Sequence, residues 1–486
     1  MSLEIRNEGS DVSTDTALTN NAARFTRLAA AATADFVRVA ASSAPALVTT
    51  PAPASEAGEE ATAVEEPVMP PARRSLSPRG AYALVAAIIG LALFASGTPS
   101  PLYGTYRELW GFSSLTLTLV YSTYAVAVLV ALVLAGRLSD EVGRRPVLVV
   151  ALSVLLGSTV LYAVADSVVW LFVARGVQGL ATGLALGAAS AALLDLHPQR
   201  DTNGVGLTNG VVSTAGMGLG VLVSAAFVEL LPAPRVLPYV GVFVLFAVAL
   251  AGVLRMAEPE PVAGRGRLQL TPQRPHVPAA VRRPFLLASL AVLASWSIGG
   301  LFLSLGPQLA AVIFHSQDHI VTGVGMFALA ASASVAQLSF SRSAPWLAAS
   351  AGAVALSVGM VLIVLAASSQ SAVLFLGGAV VGGAGFGVAF LGALRSLSAA
   401  IPPEHRGEVM SAFYVVAYGS LSVPAVLAGL AVGSLGIQQT FEIFGSVVAG
   451  LALVVAFEAW RTRPRGVAAP ARSTPACTAR AVTVQA

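Results

Sequence analysis

The chain has 486 residues and a formal net charge of +4; 56% of its residues are hydrophobic and only 11% charged. A soluble domain carries roughly a quarter of its residues charged because its surface faces water, so this composition excludes a water-soluble enzyme and makes lipid the expected solvent. Every basic residue is arginine and lysine is absent, which reads as GC-rich bacterial coding; no patch interleaves basic and aromatic residues as nucleic-acid binding requires.

Residues 1–78 are rich in Ala, Thr, Ser, Pro and Glu and hold no apolar run able to span a bilayer. Such a segment cannot bury enough surface to fold alone and is expected to be disordered. It lacks the apolar region of a signal peptide. Met69, followed by Arg73, Arg74 and Arg79, has the look of an alternative start.

A hydrocarbon core about 30 Å thick needs about 20 apolar residues of helix. Runs of that size are predicted at 81–103, 115–135, 147–165, 169–194, 204–230 and 236–256. After a polar break at 257–283 they resume at 284–311, 320–340, 345–367, 371–398, 408–433 and 438–459. The expected fold is therefore all-α and integral to the membrane, with twelve transmembrane helices in two bundles of six, 79–256 and 284–460. A cytoplasmic loop at 257–283 joins the bundles, and a disordered tail follows at 461–486. The single cysteine, Cys477, lies in that tail, which excludes a disulfide framework or a cysteine metal site within one chain.

Arginine sets the orientation. With the N-terminus inside, inner loops carry Arg137, Arg144, Arg145, Arg200, the cluster from Arg255 to Arg283, Arg342 and Arg406, and the tail begins with Arg461, Arg463 and Arg465. The outer loops carry only Arg107 and Arg235. Both termini are thus expected in the cytoplasm of a bacterial inner (plasma) membrane. The halves also repeat. An offset of 204 brings Gly179 onto Gly383, Gly183 onto Gly387 and Pro198 onto Pro402, while Leu93 to Ser96 with Pro99 echo Leu301 to Ser304 with Pro307. Such a duplication suggests two bundles related by an axis along the membrane normal.

Between the second and third spans the chain reads Gly136-Arg137-Leu138-Ser139-Asp140-Glu141-Val142-Gly143-Arg144-Arg145-Pro146. Gly136 permits close helix packing at the membrane face and Gly143 a tight turn. Asp140 is able to accept hydrogen bonds from a helix N-terminus or from an arginine. By themselves these residues describe a charged inner hairpin. They also resemble the loop signature of the major facilitator superfamily, Gly-x-Leu-x-Asp-x-x-Gly-Arg-Arg. Arg175-Gly-Val-Gln178-Gly179 on the fourth span is similar to the superfamily's Arg-x-x-Gln-Gly pattern there. The resemblance covers about residues 80–460 and implies a carrier whose bundles rock around a central cavity. It implies a conformational latch at Gly136, Asp140, Gly143, Arg144 and Arg145, a coupling role for Arg175 and Gln178, and a monomer. Glu141 departs from the pattern, since the family often has a basic residue there. Gly210, Gly216, Gly218 and Gly220 on the fifth span half-match the antiporter motif of the efflux branches, but Val221 stands where that motif has proline. Between spans eight and nine the second loop signature has decayed to Ser339-Phe340-Ser341-Arg342-Ser343-Ala344-Pro345.

An arginine inside an apolar helix costs several kcal/mol unless paired or hydrated, so Arg175 is a candidate functional residue on physical grounds as well; snorkelling to the outer interface is the competing reading. Candidate proton carboxylates are few. Asp195 and Glu229 fall at opposite span ends, and the outer pair Arg107 and Glu108 reads as a solvated surface feature. Mid-membrane polarity is expected from Thr98, where Pro99 and Pro101 free backbone carbonyls, and from Tyr121, Tyr124, Asn209, Gln308, Tyr414 and Tyr418; Tyr414 and Tyr418 share a helix face. Arg395 reads as snorkelling to the inner end.

The function expected is secondary active transport: proton-coupled efflux of a drug-like or amphipathic metabolite, the alternatives being uptake of sugar or another nutrient and a transport-inactive scaffold or sensor. An embedded enzyme would need clustered ligands or nucleophiles. The histidines 197, 276, 315, 319 and 405 instead fall in or beside loops, and His315 with His319 and Asp318 makes no metal site without further ligands. Without lysine there is no phosphate-cradling Gly-x-x-x-x-Gly-Lys loop. No cofactor and no nucleic acid are expected; the partners are a small-molecule substrate, protons and the bilayer.

Overall fold

The computed structural model describes residues 76–135, 138–259 and 275–463. Most of the segment 1–78, most of the tail with Cys477, the central loop at 260–274 and the pair Gly136 and Arg137 lie outside the described residues. Within them the elements are α1 (Pro78–Gly97), α2 (Tyr103–Trp110), α3 (Ser114–Ala135), α4 (Leu138–Val142), α5 (Arg144–Ala163), α6 (Val168–Leu196), α7 (Thr202–Leu230) and α8 (Leu237–Leu254). Then come α9 (Arg282–Ser304), α10 (Gly306–Phe314), α11 (His319–Ser339), α12 (Pro345–Ser369), α13 (Ala372–Ala400) and α14 (Arg406–Arg461).

Eleven of these helices, the seventh counted from Ala279, are long and apolar enough to cross a membrane. The twelfth span is inside α14, which runs 56 residues and turns back at Gly436, where φ is +78°. Only glycine adopts that conformation without steric cost. Twelve crossings put residues 76 and 463 on one face, called the terminal side below; the opposite face is the far side.

The first and seventh spans are shorter than expected, because prolines break them. Ala95 and Leu303 each sit four residues before a proline, Pro99 and Pro307. Proline has no N–H to complete the helical ladder. The chain bends there and resumes as the short helices α2 and α10, which end at left-handed residues Gly111 (φ +64°) and His315 (φ +50°). Arg107 and Glu108 consequently lie on a helix and not in a loop.

The repeat seen in the sequence is a repeat of contacts. A Cβ at Gly179 would meet the carbonyl of Tyr124, and one at Gly183 would meet that of Val128, so α6 packs backbone to backbone on α3. Their counterparts Gly383 and Gly387 pack the same way on Leu329 and Ala333 of α11. In lipid no hydrophobic force drives helices together, and small residues that permit close approach supply the association instead.

The halves meet along two seams. α7 packs on α11, and α3 packs on the arm of α14 that precedes Gly436. A cluster of Tyr124, Ala125, Val128 and Tyr418 straddles the second seam. In the first seam a Cβ at Gly218 would strike Ala330 of α11. The adjacent glycines Gly216 and Gly220 face the other way and press onto the carbonyls of Gly90 and Phe94 in α1. Small residues thus let α7 lie against both its own half and the other.

Gly220→Val should therefore lower the melting temperature of the detergent-solubilised protein by about 2–4 °C or destroy its monodispersity, as overpacking costs about 1–3 kcal/mol. Gly157→Ala, with open space around the new methyl, should change neither; differential scanning fluorimetry with size-exclusion chromatography reads both.

Candidate functional site

Arg175 lies two turns into α6, about 10 Å along the helix from its far-side end, and only 1% of it is exposed. Its head group does not reach for the interface. Nε donates to the Tyr103 hydroxyl (2.9 Å), which Nη2 also contacts, while Nη1 donates to the Ser96 carbonyl (3.0 Å) and to Gln178 Oε1 (3.0 Å). Gln178, one turn on, receives Tyr162 Oη–H at 3.2 Å and donates through Nε2 to the Ala95 carbonyl at 3.0 Å.

The acceptors come from the break in α1. Ala95 would bond the N–H of residue 99, which is proline, and the Ser100 N–H turns to Gly97 instead of Ser96. Two carbonyls are thereby left for Arg175 and Gln178. A third, that of Thr98, takes the Ser224 hydroxyl of α7 at 2.6 Å.

Aromatic faces complete the enclosure. The guanidinium carbon stands 5.3 Å from the ring centre of Tyr124, 5.6 Å from Tyr103 and 6.0 Å from both Tyr121 and Tyr162. A desolvated cation gains about 2 kcal/mol or more from such a face. Among the described residues, neutral groups supply every contact that Arg175 makes. From Tyr162 the rings continue outward, stacked on Tyr239 at 4.9 Å; Tyr239 shares a 3.1 Å hydroxyl contact with Tyr106, and Tyr106 stacks on Trp110.

The loop signature assembles at the terminal side. Arg144 binds Asp140, and its Nε donates to Asp195 of α6 at 3.0 Å. Nη1 also donates to Ser139 Oγ at 2.8 Å. Gly143, with φ +107°, turns the chain so that the backbone N–H of Arg144 donates to Glu258 Oε1 at 2.6 Å. The Arg145 N–H reaches Oε2 of the same carboxylate at 3.2 Å. Glu258 is therefore an anion seated on the N-terminus of α5, where backbone donors and the helix dipole favour negative charge. The Arg145 side chain donates to the carbonyls of Val253 (3.1 Å) and Leu254 (2.6 Å), which end α8. Every one of these contacts stays within the first half and the start of the joining loop, where Glu258 lies. In the second half Arg395 of α13 donates to the carbonyls of Ser341 (3.0 Å) and Ser343 (3.2 Å), so the decayed loop is held by an arginine and backbone in place of an ion pair.

The structure divides the other candidates among several places. Tyr121 and Tyr124 stand at Arg175, with Thr98 just beyond. Asn209 lies on the terminal-side half of α7, donating to Ser190 at 2.7 Å and accepting from Ser213 at 3.2 Å. Nearby, Gln337 of α11 donates to Thr214 across the first seam at 3.2 Å. Tyr418 packs edge-on to Trp296 at 5.4 Å in the second seam, and Tyr414 borders the same cluster. Gln308 lines a far-side cavity of about 370 Å³ with Arg107, Glu108, Gln317 and His319. Asp195 is the partner of Arg144 and Glu229 that of His319.

Tyr103, Tyr162 and Glu258 were not singled out by the sequence. Tyr103 and Tyr162 had a latent signal, being aromatic residues with hydroxyls on either side of the Arg175 depth; Glu258 had none, because it follows its helix like any interface acid.

Comparison with known proteins places this geometry. The sequence pattern of the Major Facilitator Superfamily matches residues 85–421. The multidrug resistance protein MdtL of Klebsiella pneumoniae is 31% identical over 122 residues in one strain and 30% in another; the match spans 24% of this chain and 31% of that protein. The chain thus spans about a third of the length of these relatives. The fold resembles that of the human organic anion transporter TETRAN, with TM-score 0.59 and 18% identity over 80% of this chain and 100% of that one. It also resembles the nucleoside transporter NupG, with TM-score 0.59 and 13% identity over 78% and 99% of the two chains.

Asp195 is 8% exposed in its side chain, so Arg144→Ala strands a nearly buried carboxylate, which costs about 3 kcal/mol or more. The Arg144→Ala, Asp195→Asn double variant should recover part of that loss, and thermal unfolding of the four proteins in a double-mutant cycle checks the coupling.

Proposed function

We propose that this chain, which belongs to the major facilitator superfamily, is a membrane transporter that exports a drug-like or amphipathic metabolite in exchange for protons by alternating access. Arg175 carries the reading. A permanent cation held at depth by movable hydroxyls, carbonyls and ring faces responds to any charge that enters or leaves its surroundings. It lies where α1, α2, α3 and α6 converge, so a change in its hydrogen bonds is transmitted to four elements of one half.

The partial likeness to a multidrug resistance protein favours efflux, as do the glycines of α7 and the largely uncharged, aromatic surfaces at Tyr124, Trp296, Tyr414 and Tyr418. These suit an apolar or amphipathic solute better than a sugar, which would require dense hydrogen-bonding groups. In this reading 79–256 and 284–460 are the two rocking bodies, joined by 257–283. The arginine-rich terminal side is the cytoplasmic face of a bacterial inner membrane, and the working unit is a monomer that needs no cofactor.

The contacts fit one stage of that cycle. Ser100 Oγ donates to the Leu303 carbonyl at 2.7 Å, and Thr105, Glu229 and His319 meet beside it, so the halves are joined at the far side. Among the described residues, the charged cluster of Asp140, Arg144 and Asp195 binds only within its own half, as a released latch would. We assign this conformation to the state closed toward the outside.

Reconstituted into liposomes with an internal pH dye and challenged with lipophilic cations, antibiotics and sugars, the protein should move protons against lipophilic compounds. Arg175→Ala should abolish that exchange, and Asp140→Asn should slow it by about tenfold or more, as loss of 1–3 kcal/mol of coupling implies. Proton movement with sugars alone would establish uptake instead; no solute movement by folded protein would leave a transport-inactive scaffold.

A further inference from the structure

His319 opens α11, and both nitrogens of its ring are engaged by the other half. Nδ1 lies 3.0 Å from Glu229 Oε2 near the end of α7, and Nε2 lies 3.3 Å from Thr105 Oγ1 on α2. The His319 backbone N–H donates to the same Glu229 oxygen at 3.2 Å. One side chain of the second half is thus clamped to two elements of the first, at the end where the halves are closed.

The proton content of the ring changes what this clamp does. A neutral imidazole has one donor and one acceptor, so it serves Glu229 by Nδ1–H and must accept from Thr105 at Nε2. With a second proton both nitrogens donate, and a cation faces the carboxylate. Histidine is the side chain whose ordinary titration falls between pH 5 and 8. Water has access, since the His319 and Glu229 side chains are 27% and 35% exposed and the ring borders the far-side cavity.

The surrounding charges leave this pairing to His319 and Glu229. From α2 the cavity receives Arg107, which is anchored on Ser114 Oγ at 3.3 Å, and the more exposed Glu108. Tyr103 is committed to Arg175. On its own element, Asp318 directs Oδ1 to the N–H groups of Ile320 (2.8 Å) and Val321 (3.1 Å) and so caps α11. His315 ends α10. Arg235 follows α7 in the next loop, and Glu442, on the returning arm of α14, is engaged by Gln438.

We propose that His319 and Glu229 form an external proton-binding site whose occupation closes the outer gate. The proposal rests on the carrier reading and its orientation. When the outer gate is open, Glu229 and His319 stand apart in water. A proton taken from the acidic outside makes the ring cationic, and the charge pair then draws α11 onto α7 and α2. Closure toward the outside is thereby favoured after solute has left, which is the step that proton entry must drive in an exporter. Release of that proton as the gate opens returns it to the same face, so the site sets the gate and is separate from any proton path past Arg175.

The test uses the full chain in liposomes, with Cys477→Ser and spin labels at Leu109→Cys on α2 and Ser434→Cys on α14. Both positions are exposed and lie at the far side in opposite halves. Pulsed dipolar spectroscopy across external pH 5.5 to 8.5 should show the ratio of short to long distances falling by about fivefold or more as pH rises. His319→Gln and Glu229→Gln should flatten the profile, His319→Arg should hold the short distance at every pH, and Glu108→Gln should leave the slope intact. A wild-type slope retained in His319→Gln, or no slope in the parent, overturns the site. Ethidium exchange in the same vesicles separates the two readings. A flat profile with active exchange removes the proton site and leaves the carrier; a His319-dependent profile without exchange keeps the site and removes the drug-exchange reading.

Discussion

A guanidinium with no carboxylate beside it among the described residues, buried about 10 Å inside a membrane helix, is the constraint around which the first half is arranged. Removing a charged group from water costs several kcal/mol, so Arg175 has to be solvated by the protein. Free backbone carbonyls are the strongest neutral acceptors available, yet an intact helix has none to offer in its middle. Pro99 solves that problem by removing an N–H from the ladder, and the end of α1 becomes a solvating surface. The break in turn sends the chain into α2, which brings Tyr103 over the same group. The packing of Gly216 and Gly220 onto α1 holds the broken end in place.

The second half has the same break and uses it differently. Pro307 frees the Leu303 carbonyl just as Pro99 frees that of Ala95, but α13 offers no arginine to take it. Its partner is Ser100, across the boundary between halves. One duplicated device therefore solvates a charge in one bundle and joins the two bundles in the other. The loop signatures diverge in the same manner: an ion-paired hairpin in the first half, capped by Glu258 of the joining loop, and an arginine on two carbonyls in the second. The asymmetry gives the first half the charged machinery and leaves the second as a more apolar wall with Trp296, Phe390 and Tyr418.

Close backbone contact and polar clamps divide the labour at the seams. Glycine-mediated contacts bring the helix backbones close without a polar bond between them. The directional bonds at Ser100, Thr105, Glu229 and His319 concentrate at one end, so closure there is decided by a handful of groups.

Hydropathy determined the number of spans, the six-plus-six division and the all-α class, since a bilayer admits only segments that satisfy their own backbone and present apolar side chains outward. The spacing of Asp140, Gly143, Arg144 and Arg145 disclosed the hairpin, and the run from Arg175 to Gln178 disclosed the buried charge. Pro99 was legible as a source of free carbonyls. Their recipients were not, because the acceptor and donor lie about 80 residues apart and meet only when α6 packs against α1. For the same reason Asp195 and Glu229 read alike in the sequence, as acids at span ends. The tertiary structure gave one to Arg144 and the other to His319, and made Tyr103 and Tyr162 part of the Arg175 enclosure. Local chemistry is written in the order of residues; which charge faces which partner depends on distance across the bundle, and helix packing alone sets that distance.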